Sequence, residues 1–319
     1  MDMVMRMSNK KRIMKVLEYL KENTNYDNGA NAEVLISYLK TQSIEVERKT
    51  IYNDIKQLDE MGYSIARNKD GYYYDDEMFE ASELRVLIDM VKASRFLSWK
   101  TSSEIIEKII SLTNRFNRKI IDSGDYFNKK TEYADLLTNV EKLLEAISEK
   151  REIRFRYFDL DEKRKKKYRG KNYVYYPINM LVDDDKYYLI CYGEKYKDFN
   201  NFRLDKMDSI EIRENTYEEI EFDVNEYMRQ TFGMFSGEKM SVKLKFDKRL
   251  FSEIDSQFGE EMILTEKDGE NFYCEANINV SPTFFSWVFS FNGQIKILGP
   301  EKVKQQYLEM CYRAIEDNK

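Results

Sequence analysis

Residues 46–74 read VERKTIYNDIKQLDEMGYSIARNKDGYYY, and this stretch decides how the first part of the chain folds. Ile51, Ile55 and Leu58 recur at helical spacing across Arg48 to Met61, and Gly62 is a helix stop. Tyr63 to Ala66 and Tyr72 to Tyr74 are short β-like runs around Arg67-Asn68-Lys69-Asp70-Gly71, where Asp-Gly is a strong hairpin signal. Toward the N-terminus, Ala32 to Leu39 carries Val34, Leu35, Tyr38 and Leu39 on one helical face. Lys11 to Lys21 carries Ile13, Val16, Leu17 and Leu20, with a loop at Asn28-Gly29 between the two.

Three helices and then a hairpin is the order of a winged helix-turn-helix, whose third helix enters the major groove of duplex DNA. Arg48, Lys49, Thr50, Tyr52 and Asn53 would then meet bases and phosphates from the face opposite Ile51 and Ile55, with Arg67 and Lys69 on the wing. The plainer alternative is a small helical domain with a solvated charged face. Glu45 and Glu47, beside the helix start, oppose a strong electrostatic hold on DNA.

Charge is unevenly spread. The 319 residues include 52 Lys/Arg and 58 Asp/Glu, a net charge of −6 that looks wrong for a nucleic-acid binder. Residues 1–74, however, hold 12 Lys/Arg against 11 Asp/Glu, and residues 150–213 hold 17 against 12, so the acidity lies elsewhere. A mean hydropathy of −0.69 and the lack of an apolar run near 18 residues argue against a membrane span. The charged N-terminus is unlike a secretory signal, so a cytoplasmic location is expected.

The chain has no histidine, which removes Ser-His-Asp and Cys-His nucleophile systems, histidine bases and His-ligated metals. Phosphate-cradling glycine loops are also missing. Cys191, Cys274 and Cys311 lack CxxC spacing and fit reduced thiols better than a disulfide frame or a zinc site. No catalytic residue, metal or cofactor is expected, and the chain is not read as an enzyme.

Residues 79–149 are helical in pattern, over Ser82 to Phe96, Ser102 to Leu112 and Tyr133 to Ile147, as in a linker or dimerising segment. From Glu152 the period changes to strands: IRFRYFD, NYVYYPINMLV, KYYLICY and NFRLDKMDSIEI, which suggest a small, strongly curved barrel. Between the first two, residues 163–171 (KRKKKYRGK) hold seven cations in nine residues and no acid. A charge run is usually a solvated hairpin tip. The tyrosines interleaved there, Tyr168, Tyr173, Tyr175 and Tyr176, also suit single-stranded nucleic acid, which needs stacking faces beside cations. Residues 240–319 follow a β-α-β-β-α-β order before a last helix.

Several segments together resemble the WYL-domain transcriptional regulators. VERKTIYNDIKQLDEMGYSI (46–65) resembles the family's recognition-helix signature, ASELRVLIDMVKASRFLSWKTSSEIIEKIISL its linker, YYPINMLVDDDKYYLICYGEKYKDFNNFRLDKM its WYL domain, and FFSWVFSFNGQIKILGP (284–300) its C-terminal extension. The resemblance implies an α+β multidomain chain in four parts: a winged helix-turn-helix at 1–78, a helical linker at 79–149, an Sm-like β-barrel WYL domain at 150–225 and a ferredoxin-like extension at 226–319. It implies a DNA-binding regulator, commonly a homodimer, that binds a double-stranded operator and senses a ligand such as single-stranded nucleic acid or a nucleotide. Tyr157, Lys171, Tyr173, Tyr188, Arg203 and Lys206, extended by Arg156, are the expected ligand surface, with Tyr187 and Leu189 expected in the core. For Arg203 the ordinary alternative is an ion pair with Asp205.

The chain departs from the family pattern at Tyr187 for the name-giving Trp, Glu47 for a helix-capping serine, and Asn200 and Tyr173 for arginines. A metabolite-sensing repressor, or an adaptor acting on a nucleic-acid-guided effector, are the alternative functions.

Overall fold

The computed structural model describes residues 2–121, 130, 136–195, 197–235, 237–259 and 262–319. It is a mixed α+β structure that divides into two compact units, Met1–Ala134 and Asp135–Lys319.

In the first unit, α1 (Asp2–Asn23), α2 (Ala32–Thr41) and α3 (Arg48–Glu60) enclose Val16, Leu20, Leu35, Leu39, Ile51 and Leu58, all fully buried. The α1 helix begins well before its apolar stripe. Asn31 caps α2 by accepting from the Val34 amide at 3.0 Å, whereas Glu47 makes no side-chain cap bond to α3. This core also contains a charge. Asp54 of α3 is fully buried, and Arg12 of α1 donates to its two oxygens from Nε at 2.7 Å and Nη2 at 2.8 Å. The clamp satisfies the carboxylate and fixes the rotation of α3 against α1.

β1 (Ile65–Arg67) and β2 (Tyr72–Tyr74) form the antiparallel hairpin, and Ala30 joins it through two backbone bonds to Tyr72 of 2.8 and 2.9 Å. That close approach requires glycine at position 71. Its φ is +144°, and an added Cβ would stand 2.3 Å from the Ala30 carbonyl carbon. Asn68 closes the turn, its Oδ1 accepting from the amides of Asp70 and Gly71 at 2.8 and 3.0 Å.

α4 (Ala81–Ala93), α5 (Trp99–Ile110) and α6 (Arg115–Ile121) bury Leu84, Ile88, Ile106 and Ile121 together. The short α6 escapes periodicity; Asn114 caps it, and its Arg118 donates twice to Glu22 of α1 at 2.8 Å. α7 (Leu136–Ser148) lies in the second unit, so the helical stretch expected as one linker is divided. Its buried Leu143 and Ala146 pack on strands, and positions 133–135 of the expected helix lie outside the described residues.

In the second unit, β3 (Arg151–Leu160), β4 (Lys166–Asp183), β5 (Lys186–Gly193), β6 (Asp198–Arg203) and β7 (Met207–Thr216) form an antiparallel sheet of order β6-β5-β4-β3-β7. The run expected as one last strand is two, because a 3₁₀ turn at Leu204–Lys206 carries the chain from one sheet edge to the other. The sheet is open at β6 and β7 where a barrel was expected. β4 pairs with β3 in its first half and β5 in its second, and the ladder shifts at Pro177, which has no amide hydrogen to donate.

A second sheet holds β8 (Glu238–Asp247), β9 (Ile263–Asp268), β10 (Asn271–Val280) and β11 (Ile295–Gly299) in the order β11-β8-β10-β9. Its core of Val242, Leu244, Phe246, Ile278, Phe284 and Val288 includes side chains of α10 (Pro282–Ser290). Between the sheets, α8 (Val224–Gln230) is a helix that periodicity does not reveal; Asp223 caps it. α9 (Phe251–Phe258) and α11 (Glu301–Glu316) complete the unit. Cys191 and Cys274 are buried and unpaired, and burial pushes their thiols up. Among the described residues no helix is long and apolar enough to cross a membrane.

Candidate nucleic-acid interface and ligand surface

The α3 helix sorts its side chains by face. Ile51, Asp54, Ile55 and Leu58 are buried, while Arg48, Lys49, Tyr52 and Asn53 are exposed and Thr50 is half-buried. Arg48 is held in place: its Nε donates to the Tyr52 hydroxyl at 2.8 Å and its Nη1 lies 3.3 Å from Glu33 of α2. Tyr52 in turn meets Tyr72 edge-on, ring centroids 6.4 Å apart, and Arg67 lies over the Tyr72 ring at 5.6 Å. One continuous surface therefore runs from α3 to the hairpin, with Lys69 exposed at the hairpin turn. It offers guanidinium, ammonium, amide and phenol donors, the groups that pair with base edges and phosphates. Glu33 could not be connected to Arg48 from sequence, being fifteen positions away on another helix.

The expected ligand residues of the second unit lie in three linked groups, the Tyr157 and Tyr173 rings meeting edge-on with centroids 6.0 Å apart. Tyr157, Tyr188 and Arg203 come together, but the two rings are buried, at 6% and 7% exposure. The Tyr157 hydroxyl accepts from the Arg203 amide at 3.1 Å, and Tyr188 pairs opposite Arg203 across β5 and β6. Burial pushes the Tyr188 phenol up to about 12. The Arg203 guanidinium donates to Asp205 at 3.0 and 2.7 Å, so the ordinary ion pair is formed. Tyr187, expected in the core, is half-buried, while Tyr188 through Cys191 are buried without interruption. Strict alternation fails because both faces of β5 are buried from Tyr188 to Cys191, while Tyr187 stands beside the start of the strand.

Lys206 belongs to a second group, around Asp159. It donates to that carboxylate at 2.8 Å, and Arg169 donates at 2.9 Å while lying 4.9 Å over the Tyr157 ring. These bonds, Arg169's foremost, hold the Asp159 carboxyl down to about 2. In the third group Lys171 lies 4.8 Å over the ring of Tyr173, which is itself buried and stacked on Phe155 at 5.4 Å. Arg156 is exposed and stacks on Tyr168 at 3.6 Å. Asp205 was named from the sequence as the partner of Arg203, but Asp159, which pairs with Lys206, was not.

The basic run occupies the β3–β4 hairpin. Lys166 pairs with Asp208 at 3.0 Å and Arg169 with Asp159, while Tyr168 donates its hydroxyl to Asp208. Lys163, Arg164, Lys165 and Lys167 are exposed and form no ion pair among the described residues. Asp161 shapes the turn, its Oδ1 accepting from the amides of Lys163 and Lys165 at 2.9 and 2.7 Å. A shallow depression of about 590 Å³ lies along it, lined by the acids Asp159, Asp161 and Glu162 as well as Lys163, Lys167 and Arg169.

The WYL domain family model matches residues 138–212, from within α7 into β7. The WYL domain is therefore present and includes α7. No curated protein sequence matches the chain. Among solved structures, 93% of the chain is similar to 47% of proteasome accessory factor B/C (PafBC) of Arthrobacter aurescens, with 18% identity and a TM-score of 0.31. Similarly, 98% of it matches 85% of a CRISPR Cas-related protein, with 15% identity and a TM-score of 0.39. The chain spans about half the length of the PafBC chain.

Proposed function

We propose that the protein is a DNA-binding transcriptional regulator whose WYL domain senses a ligand, acting by binding and not by catalysis. The sorting of α3 carries this: a clamp-fixed inner face of Ile51, Asp54, Ile55 and Leu58, and an outer face of Arg48, Lys49, Tyr52 and Asn53. In this reading α1–α3 with the β1–β2 hairpin is a winged helix-turn-helix. The five-stranded sheet with α7 is an Sm-like WYL domain, and the second sheet, in 4-1-3-2 order, is a ferredoxin-like extension. A homodimer would read two half-sites, and a ligand bound more tightly by one dimer geometry would shift the population toward or away from the operator-competent spacing.

A second reading of the ligand has its own support. Arg203, Lys206 and Arg169 are offset by Asp205 and Asp159, so the face around Tyr157 and Tyr188 suits a weakly charged metabolite better than a polyanion. Fluorescence anisotropy on duplex DNA from upstream of the protein's own gene tests the regulator. Arg48→Ala is expected to weaken salt-sensitive duplex binding by about 1–3 kcal/mol, and Arg203→Ala to leave it intact. A wild-type protein that binds no duplex at any salt would remove the proposal.

A further inference from the structure

Resting on the regulator reading above, we infer that the β3–β4 hairpin is an arm that holds the phosphate backbone of single-stranded nucleic acid. The distribution of paired and unpaired charge leads there. Two cations of the hairpin are immobilised by carboxylates, Lys166 by Asp208 and Arg169 by Asp159, and the neighbouring Lys206 also binds Asp159. Four others at and beside the turn, Lys163, Arg164, Lys165 and Lys167, meet no carboxylate among the described residues and are exposed. An anion arriving at the arm displaces no internal partner, whereas one arriving at Arg203 must compete with Asp205.

The chemistry favours a nucleic-acid chain over other polyanions. Beside the free cations lies the Arg156–Tyr168 stack, 3.6 Å from guanidinium to ring centroid, and Tyr168 is oriented through its hydroxyl on Asp208. An exposed planar guanidinium stacked beside the basic hairpin is a platform for a base, as the unpaired cations are for its phosphates. An acidic peptide would use the cations and ignore the platform. A membrane surface would need large apolar side chains at the tip, and residues 161–167 have none.

The test is anisotropy of a labelled single-stranded oligothymidylate with the full chain, over a range of salt. Each phosphate neutralised contributes about 0.7 to the slope of log affinity on log salt for a single strand. The variant Lys163→Gln, Arg164→Gln, Lys165→Gln, Lys167→Gln is expected to lower that slope by about 3. Arg156→Gln is expected to weaken binding with the slope falling by no more than about one contact. Should the fourfold variant fold poorly, Lys163→Gln with Lys167→Gln is expected to lower the slope by about half as much. An unchanged slope in a folded variant overturns the arm, as does polyglutamate or an anionic phosphatidylserine vesicle competing as well as the oligonucleotide. Duplex binding on the same samples separates the two levels. A wild-type protein that binds duplex but no single strand overturns the arm and leaves the regulator, while one that binds neither overturns both.

Discussion

The outer face of α3 and the tyrosine–arginine face of the WYL sheet contain similar residue types and treat them in opposite ways. On α3 the rings and cations project outward, and their ion pairs are exposed and loose: Arg48 lies 3.3 Å from Glu33 and Lys56 lies 3.5 Å from Glu60, while Lys49 meets no carboxylate among the described residues. On the sheet, Tyr157 and Tyr188 are buried, and Arg203, Arg169 and Lys206 each meet an aspartate. The number of cations in a segment therefore says little about its affinity for anions. What matters is how many remain uncompensated once the chain has folded, and by that measure the β3–β4 arm keeps four such cations and the outer face of α3 keeps Lys49, where the Arg203 face keeps none of Arg203, Arg169 and Lys206.

Four substitutions and a pH change break or sharpen this contrast. The largest effect is expected from Arg12→Ala, which strands the buried Asp54 carboxylate beneath α3. Losing one partner of a buried pair costs about 3–5 kcal/mol, read as a lowered urea midpoint of the first unit with loss of duplex binding. Arg48→Ala comes next, weakening duplex binding by about 1–3 kcal/mol without altering the urea midpoint. Tyr157→Phe removes the acceptor of the Arg203 amide and is expected to cost the second unit about 1–3 kcal/mol while duplex affinity stays put. Glu33→Gln should tighten duplex binding by under about 1 kcal/mol, since an exposed pair is weak, and looser binding would mean that Glu33 positions Arg48 and does not mask it.

The smallest effect is on acid stability. Because Arg169 and Lys206 lower the folded Asp159 carboxyl to about 2 from 3.8, its contribution is present above about pH 4 and is lost as pH falls toward 2. The group is 42% exposed, so solvent screening keeps the change small. Comparing acid denaturation of the wild type with Asp159→Asn isolates it. The variant's stability should lose less over that window.

Much of this was legible in the sequence where a local rule governs. The spacing of Ile51, Ile55 and Leu58 orients α3, Asp70-Gly71 marks the hairpin, and the β-α-β-β-α-β order of residues 240–319 is the order found. Signals failed where distant groups decide. Arg12 and Asp54 are 42 positions apart, Lys206 and Asp159 47, and nothing local pairs them. Alternation misplaced Tyr187 because burial on β5 depends on neighbours on both faces. The helices α6 and α8, at seven residues each, are too short to carry a periodic stripe and are defined by their caps, Asn114 and Asp223.

The central claim is that α3 supplies uncompensated charge to duplex DNA while the Arg203 face does not. It is tested most directly by the salt dependence of duplex affinity in the wild type, Lys49→Gln and Arg203→Gln. The slope is expected to fall by about 1 in Lys49→Gln and to be unchanged in Arg203→Gln. A slope that falls in Arg203→Gln and stays constant in Lys49→Gln would contradict it.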